Sequence, residues 1–241
     1  SLFKYYKYSM RYDQLKLMII KKIRDIIFLI IFGRGKFFLL FLKTNLKHIF
    51  LGQKYNYDFK NTSFSNKWFF DNLSYIYLIF KNKKNQINSV LEIGSYEGQS
   101  ASFFLKYFPN IKISCVDIWK NQNLNYKNVD FNNIEKRFDK NLEDYKNQVR
   151  KYKGTSKNFF FQNNIKNFDL IYIDGSHYFK HVYHDALKSF KILNINGYIL
   201  FDDYLFKYKS EKYSHPIYAI NKFLRKYKNK IKIIAIYRQV L

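Results

Sequence analysis

The sequence predicts an α/β fold in which a mostly parallel sheet carries helices on both faces, preceded by an N-terminal helical extension. The first reason is that short apolar runs alternate with amphipathic segments from about residue 89 onward, which is typical of parallel sheets. The second is that acidic residues stand at the ends of several apolar runs. The third is that five of the eight glycines also lie beside predicted strand ends, namely Gly94, Gly98, Gly154, Gly175 and Gly197.

Residues 1–60 predict a basic, apolar helical extension. Its longest unbroken apolar stretch covers residues 26–32, far short of the ~18–20 residues that a helix needs to span a bilayer. Gly33 and Gly35 predict a break between two helices. The favoured interpretation is that these helices pack on the main domain or on a partner subunit. The alternative is a basic amphipathic surface that rests on anionic lipid.

Residues 61–241 predict the main domain, and a helical patch over residues 68–80 leads into it. The predicted strands are residues 89–93, 111–117, 149–153, 168–173 and 198–201, with one strand or a tight strand pair over residues 231–241. The predicted helices are residues 99–108, 131–145, 179–193 and 217–227. The second of these helices is predicted from apolar residues at helical spacing, which are Phe131, Ile134, Phe138, Leu142 and Tyr145.

Composition limits the class of protein. Hydrophobic residues make up 47% of the 241 residues, which excludes a disordered chain. The single cysteine, Cys115, lies inside an apolar run, which excludes an intramolecular disulfide and a cysteine metal cluster. A reducing, cytoplasmic setting is therefore expected, with peripheral contact to a membrane as an alternative for the extension.

The net charge of +25 comes from 43 Lys and Arg residues against 18 Asp and Glu residues. Such an excess is typical of proteins that bind nucleic acid or anionic membranes. This chain is also rich in Asn, Ile, Phe and Tyr, which A/T-rich codons encode, and its lysines are scattered rather than clustered. A genomic base bias explains that composition, so a solvated lysine-rich surface is expected and a nucleic-acid partner is not.

Acidic residues follow four of the predicted strands, where ligands of parallel α/β sheets bind. They are Glu92, Asp117, Asp174, Asp202 and Asp203. The first of them opens the loop E-I-G-S-Y-E-G, whose glycines can take a positive φ and let a ligand approach the backbone. The loop lacks the middle glycine of the dinucleotide fingerprint G-x-G-x-x-G. An acidic residue beside it suits a ligand with a positive group instead.

Asp117 follows the second strand, where an acidic residue accepts hydrogen bonds from a ribose diol. Ile118 and Trp119 come directly after it and offer an apolar face for an adenine ring. Gly154-Thr155-Ser156 then predicts a turn and a helix cap after the third strand. A ligand with a positive charge, a ribose and an adenine points to S-adenosylmethionine.

Three stretches resemble the class I S-adenosylmethionine-dependent methyltransferases: VLEIGSYEGQSA, CVDIW and FDLIYIDGSHYFKHVYHDALKSFKILNINGYILFDDY. They are most similar to the bacterial group with D-G-S-H after the fourth strand and D-D-Y after the fifth, and resemble metal-dependent sugar O-methyltransferases. The resemblance covers about residues 85–241 and implies a Rossmann-like class I methyltransferase fold. It implies a cofactor loop formed by Glu92, Gly94, Ser95, Tyr96 and Gly98 and a ribose-binding acid at Asp117. It also implies adenine contacts at Ile118, Trp119, Thr155 and Ser156.

A hydroxyl acceptor must lose its proton, which requires a general base or a divalent metal. Asp174, Asp202 and Asp203 end adjacent strands, and three carboxylates in one small volume suit a hard cation such as Mg²⁺. Related sugar O-methyltransferases use such a trio for Mg²⁺. The alternative is that Asp202 or Asp203 caps the following loop and that Asp174 binds the acceptor or the cofactor.

His177 is the expected general base, with Asp174 as the second catalytic residue, because a neutral imidazole at the start of a helix suits proton transfer. Some metal-dependent relatives carry an aspartate base at the position of Ser176, and this chain departs from that pattern. His181 and His184 share the helical face of His177. Their lysine and tyrosine neighbours indicate a surface stripe rather than a metal site.

The predicted function is S-adenosylmethionine-dependent O-methylation of a sugar hydroxyl or another small polar metabolite. The expected cofactors are S-adenosyl-L-methionine and Mg²⁺. Two alternatives stay open, which are an oxidative enzyme resembling the cephalosporin hydroxylases and a non-catalytic or RNA-directed protein that uses the basic surface. Assembly into a homo-oligomer is also left open by the sequence.

Overall fold

The computed structural model describes residues 35–50, 62–66, 68–120, 133–162, 165–206, 215–237 and 239–241, together with the helical residues 23 and 27. The predicted helix before Gly33 therefore lies almost entirely outside the described residues, as does Phe131 of the predicted apolar stripe.

A five-stranded parallel sheet forms the centre of the fold and confirms the predicted architecture. Its strands are β1 (Ser89–Ile93), β2 (Lys112–Asp117), β3 (Val149–Lys153), β4 (Phe168–Ile173) and β5 (Leu193–Phe201). They lie in the order β3-β2-β1-β4-β5, and each neighbouring pair is parallel. The strand order reverses between β1 and β4. Parallel α/β sheets bind their ligands in the crevice that such a reversal opens at the carboxyl ends of the strands.

Helices cover both faces of this sheet. They are α1 (Gly35–Phe50), α2 (Leu73–Phe80), α3 (Gln99–Tyr107), α4 (Ile134–Asn141), α5 (Ser156–Phe160), α6 (Phe179–Lys191) and α7 (Pro216–Lys226), with short 3₁₀ turns at Trp68–Asn72, Lys84–Gln86 and Glu143–Tyr145. Thr155 caps α5 as predicted, because its hydroxyl oxygen accepts a hydrogen bond from the Asn158 amide at 3.1 Å. Pro216 begins α7, where the missing amide hydrogen costs nothing.

β5 begins at Leu193, earlier than the predicted start at residue 198. The pairing of β5 with β4 shifts register between Phe168 and Leu170, and Asn196 has a φ of 63°. Asn196-Gly197 is therefore an irregularity inside the strand rather than a turn before it, as in a β-bulge.

The C-terminal residues form a short strand pair at the edge of β5. Val240 makes antiparallel bridges to Phe201 and to Ile236. Of the two predicted arrangements for residues 231–241, the structure thus has the tight pair. This pair lies next to β5, the strand that Asp202 and Asp203 follow.

Side chains of the central strands alternate between two hydrophobic cores. Val90 and Leu170 lie in the core on one face of the sheet, with Phe104 of α3. Their neighbours in the chain, Leu91 and Ile171, lie in the core on the other face. This is the period of two that strands impose, and it explains why the strands of a sheet covered on both faces are continuously apolar.

The described part of the extension packs against the main domain. Phe37 and Phe41 of α1 are 2% and 8% exposed and belong to the same core as Leu91 and Ile171. Asn45 accepts a hydrogen bond from the Tyr75 hydroxyl of α2 at 2.8 Å. None of the helices in the described part of the chain has the length and apolarity needed to cross a bilayer.

Candidate active site

The loop after β1 lies directly against the loop after β4. Gly94 has a φ of 92°, and a Cβ atom there would lie 2.1 Å from the carbonyl oxygen of Asp174. Gly98 has a φ of 79°, and its Cβ would meet the Leu142 side chain at 3.1 Å. On the Cβ side of Gly94, the chain's own backbone thus occupies the space that was predicted for a ligand. Both glycines permit close packing of the elements that carry the site.

Glu92 lies fully buried in β1, beneath this loop. Ser100 of α3 donates a hydrogen bond to its Oε1. Its Oε2 and the nearby Ser95 hydroxyl are buried without a well-formed hydrogen bond among the described residues, although the Ser95 and Cys115 side chains are close enough to Glu92 to favour its charged form. Burial raises the pKa of Glu92 from 4.5 to about 7, because a low-dielectric interior disfavours the charged carboxylate. Buried polar atoms without partners are rare in proteins and mark a place where a ligand group can bind.

Asp117 ties the loops after β1 and β2 together. Its two carboxylate oxygens accept hydrogen bonds from the backbone amides of Tyr96 and Trp119, each at 2.8 Å. Tyr96 and Trp119 have left-handed φ values of 46° and 41°, which are unfavourable for side chains of this size. Burial raises the pKa of Asp117, against the opposing effect of these hydrogen bonds. Its carboxylate therefore helps to hold both loops in strained conformations.

The predicted adenine contacts lie in three different environments. The Trp119 ring is only 6% exposed. It packs 4.7 Å from the Phe138 ring and donates its Nε1–H to the Tyr96 carbonyl at 2.8 Å. Most of the Trp119 ring thus belongs to the core, whereas Ile118 is half-buried and Thr155 is exposed.

Ser156, the last predicted adenine contact, begins α5. Its side chain makes a hydrogen bond with Asp185, a residue of α6 that is 2% exposed. Asp185 also lies 3.1 Å from Nδ1 of His184. This buried acid therefore links the turn after β3 to the helix that follows β4.

Glu97 anchors two outer segments to the loop after β1. It is 1% exposed and accepts hydrogen bonds from the Ser65 amide at 2.6 Å and the Ser65 hydroxyl at 2.7 Å. Arg137 of α4 pairs with the same carboxylate. Asn141 donates to the Glu97 carbonyl oxygen at 2.9 Å. The segment before Trp68 and helix α4 are thus held against the predicted cofactor loop by one buried charge.

Asp174, His177 and Asp203 come together at the carboxyl ends of β4 and β5, and we call them the Asp–His–Asp cluster. One ligand atom from each residue lies within 4.8 Å of the other two. The Nε2 atom of His177 is 2.8 Å from an Asp203 carboxylate oxygen. Two carboxylates and an imidazole at this spacing can bind a divalent cation or move a proton.

The electrostatics of this cluster follow from burial and from the adjacent negative charges. Burial opposes charge on His177, but the neighbouring Asp203 carboxylate raises the pKa of His177 above its ordinary value. Burial also raises the pKa of Asp174 well above its ordinary value, and the Asp202 and Asp203 carboxylates add to that effect. Carboxylates this close repel one another unless a proton or a cation lies between them.

Asp202 lies beside the cluster, but hydrogen bonds commit its carboxylate to a buried polar network. It accepts from the Tyr172 hydroxyl at 2.7 Å, from the Gln239 amide at 2.7 Å and from the Asp203 backbone amide at 2.9 Å. The residues with metal-ligand spacing therefore differ from the predicted trio in having His177 in the place of Asp202. Asp203 has a left-handed φ of 53°, and its side chain points to His177 while that of the preceding Asp202 points to the buried network.

His181 and His184 do not join the cluster. The His181 ring lies 2.8 Å from the Ser176 hydroxyl through Nδ1, and His184 contacts Asp185. His181 is exposed, as predicted for a surface stripe, whereas His184 is half-buried.

Four residues of the site were missed by the sequence analysis: Asn72, Glu97, Tyr172 and Gln239. Two of them had a usable signal. Glu97 is an acidic residue of the glycine loop in a lysine-rich chain. Tyr172 is a residue with a polar hydroxyl group inside an apolar strand. Asn72 and Gln239 reach Asp202 from distant parts of the chain, and no local pattern marks them.

Known proteins share this fold. The profile of a family described as a methyltransferase domain matches residues 91–204, whereas no curated protein matches the chain significantly. A protein from Staphylococcus aureus described as a caffeoyl-CoA O-methyltransferase has 17% identity and a TM-score of 0.53, over 83% of this chain and 97% of its own. An O-methyltransferase from Bacillus cereus in complex with S-adenosylhomocysteine has 11% identity and a TM-score of 0.51, over 80% of each chain.

A third solved structure is the MycE methyltransferase of the mycinamycin biosynthetic pathway, in complex with Mg and S-adenosylhomocysteine. It has 17% identity and a TM-score of 0.51, over 74% of this chain and 50% of its own. At such identities these structures establish a likeness of fold. The profile match covers residues 91–204, which span the parallel sheet from β1 to β5 and its acidic strand ends. The chain therefore has the class I methyltransferase fold that its motifs predict.

Proposed function

We propose that the enzyme transfers the methyl group of S-adenosylmethionine to a hydroxyl of a sugar or another small polar metabolite, with a divalent cation such as Mg²⁺. The observation that carries this proposal is the Asp–His–Asp cluster, whose ligand atoms lie within 4.8 Å of one another. A hydroxyl is a poor nucleophile until it loses its proton, so the site needs a base or a Lewis acid. The cluster offers the residues for both.

His177 is the base in this proposal. Its Nε2 atom faces Asp203 at 2.8 Å, so an Nε2–H donated to that carboxylate leaves Nδ1 as the proton acceptor. Asp203 orients the ring and stabilises the imidazolium that forms when the acceptor hydroxyl loses its proton. Alignment of that hydroxyl with the sulfonium methyl group is mainly a matter of proximity.

The donor set fits a divalent cation. The two cluster carboxylates supply the oxygen ligands that Mg²⁺ prefers, and a cation between two half-buried carboxylates relieves their mutual repulsion. Bound there, a cation would lower the pKa of the acceptor hydroxyl and orient it. The MycE structure is a complex with Mg on a similar fold, which supports the proposal of a divalent cation.

The loops after β1 and β2 fit the cofactor. Among the described residues, the Oε2 atom of Glu92 and the Ser95 hydroxyl are buried polar atoms without a well-formed hydrogen bond, and they suit the polar amino-acid end of S-adenosylmethionine. The Asp117 carboxylate lies at the carboxyl end of β2, where an acid accepts hydrogen bonds from ribose hydroxyls in nucleotide-binding sheets. The complexes of two similar structures with S-adenosylhomocysteine support this assignment.

Calorimetric titration with S-adenosylhomocysteine tests the cofactor assignment, and transfer of tritiated methyl groups to a panel of free sugars and glycosides tests the acceptor class. The wild-type chain should bind S-adenosylhomocysteine, and Asp117→Ala should abolish binding. Asp139→Ala is the matched control, because Asp139 is an exposed acid of α4. Failure of the wild type to bind at millimolar concentration would overturn the proposal.

A further inference from the structure

Gln239 connects the C-terminal strand pair to the active site. Its side chain is fully buried. The Nε2 atom donates a hydrogen bond to an Asp202 carboxylate oxygen at 2.7 Å and lies 3.3 Å from the Tyr172 hydroxyl. A buried carboxylate depends on donors of this kind, since each unmet hydrogen bond leaves a desolvated charge.

The orientation of this amide is determined by its two partners. The Tyr237 hydroxyl donates to Oε1 of Gln239, and the carboxylate on the other side can only accept. The Tyr237 ring in turn stacks on Tyr75 of α2, with ring centres 4.3 Å apart and planes at 6°. Gln239 is thus held in one rotamer by a rigid aromatic pair.

Asp202 connects the fixed side chain of Gln239 to the Asp–His–Asp cluster. The oxygen that accepts from Gln239 also accepts from the backbone amide of Asp203 at 2.9 Å. Asp203 has a left-handed φ of 53° and reaches His177 with its own carboxylate. Because a left-handed aspartate needs support from its surroundings, the position of Asp202 bears directly on the position of Asp203.

We propose that Gln239 is a positioning residue for methyl transfer, which acts through Asp202 to hold Asp203 against His177. It touches neither the acceptor nor the cofactor in this proposal. The effect of Gln239 on the rate of methyl transfer rests on the proposed function, whereas its effect on the contact between Asp203 and His177 does not. Two different measurements therefore separate them.

The geometric measurement is the ¹⁵N resonance of the His177 ring in the full chain labelled at histidine, recorded for three variants. Gln239→Met keeps the length and volume of the side chain but removes the donor to Asp202 and the acceptor for the Tyr237 hydroxyl. Asp203→Asn removes the carboxylate partner of His177 and marks the resonance of a released ring. Val240→Ala is the control, because it truncates the neighbouring buried residue of the same strand pair.

The proposal expects the His177 resonance in Gln239→Met to move to the position seen in Asp203→Asn, while Val240→Ala keeps the wild-type position. If Gln239→Met keeps the wild-type resonance, the proposal is overturned. Melting temperatures identify general destabilisation, since Val240→Ala also loses core packing. A His177 resonance that moves equally in Gln239→Met and Val240→Ala would mean a merely structural role and would likewise overturn it.

The kinetic measurement uses the best acceptor from the sugar panel. Gln239→Met should lower kcat by up to about 100-fold, the cost of a displacement of about 1 Å at a reacting centre. The KM for S-adenosylmethionine should stay within about twofold of wild type, because Gln239 contacts no predicted cofactor residue. An unchanged kcat would overturn the proposal. If the wild type methylates no acceptor, the proposed function fails while the histidine resonance still decides the role of Gln239.

Discussion

Replacement of Glu92 by glutamine should stabilise the protein at neutral and alkaline pH while weakening cofactor binding. Glu92→Gln keeps the shape of the side chain and its acceptor for Ser100, but it cannot ionise. The wild-type carboxyl is fully buried, so its charged form lacks the solvation that water gives the unfolded chain. This is a case in which a functional group reduces stability.

The size of the effect follows from the pKa of Glu92, which burial raises from 4.5 to about 7. Each pKa unit corresponds to about 1.4 kcal/mol, so the full difference is about 3 kcal/mol. Because the folded pKa lies above the unfolded one, the wild type has its full stability below pH 4.5. It loses that stability as the pH rises to about 7. The advantage of Glu92→Gln should therefore be near zero at pH 4.5 and about 3 kcal/mol at pH 8.

Urea unfolding of the wild type and of Glu92→Gln between pH 4.5 and 8 measures the difference between their free energies of unfolding. The titration of all other groups contributes equally to both proteins and cancels in this difference. Glu135→Gln is a control of opposite sign. Hydrogen bonds from Lys151 and Lys153 lower the pKa of Glu135, so that variant should lose stability at neutral pH and not at low pH. A free-energy difference between wild type and Glu92→Gln that does not change with pH would refute the reasoning.

Three further predictions concern the site and its supports. Asp203→Asn should reduce methyl transfer at least about 100-fold with S-adenosylhomocysteine binding unchanged by calorimetry, and equal losses of both would contradict the assigned role. Gly94→Ala should cost several kcal/mol in urea unfolding, roughly as other strained backbone positions do, because its Cβ would lie 2.1 Å from a backbone oxygen. Gly154→Ala should cost less, because its Cβ meets a tyrosine side chain that can move. Arg137→Met should lower the unfolding free energy by about 3–5 kcal/mol by leaving the buried Glu97 charge unpaired, and Arg137→Met with Glu97→Gln should recover part of that loss.

The strands could be predicted from the sequence because the local and the global requirements agree. A strand covered on both faces needs a continuous apolar run, and FDLIYI at residues 168–173 supplies one. The start of β5 was missed, because Asn196 and Gly197 are typical turn residues. Pairing with β4 nevertheless begins before them, at Leu193, and resumes after them at Tyr198.

The side-chain directions within the site were less predictable. Asp202 and Asp203 are identical and adjacent in sequence, yet one joins a buried network and the other contacts His177. That difference depends on a left-handed backbone at a non-glycine residue, which no periodic pattern marks. Trp119 is a similar case, because its own left-handed backbone accompanies a ring that packs into the core. A sequence indicates that an acid or a ring is present at a strand end, whereas the loop conformation decides what it contacts.

The part that Asp117 plays in cofactor binding can be divided into two contributions. Its carboxylate holds the amides of Tyr96 and Trp119, so Asp117→Ala should relax the cofactor loop and also remove the proposed ribose contact. A 2′- or 3′-deoxy analogue of S-adenosylhomocysteine removes the ribose contact alone. The wild type should bind one of these analogues about 10-fold more weakly, which corresponds to about 1.4 kcal/mol and is typical of one hydrogen bond to a charged group. In Asp117→Glu, with its shifted carboxylate, the deoxy penalty should shrink. If the wild type binds both analogues as tightly as S-adenosylhomocysteine, the carboxylate only shapes the loop and the ribose assignment is wrong.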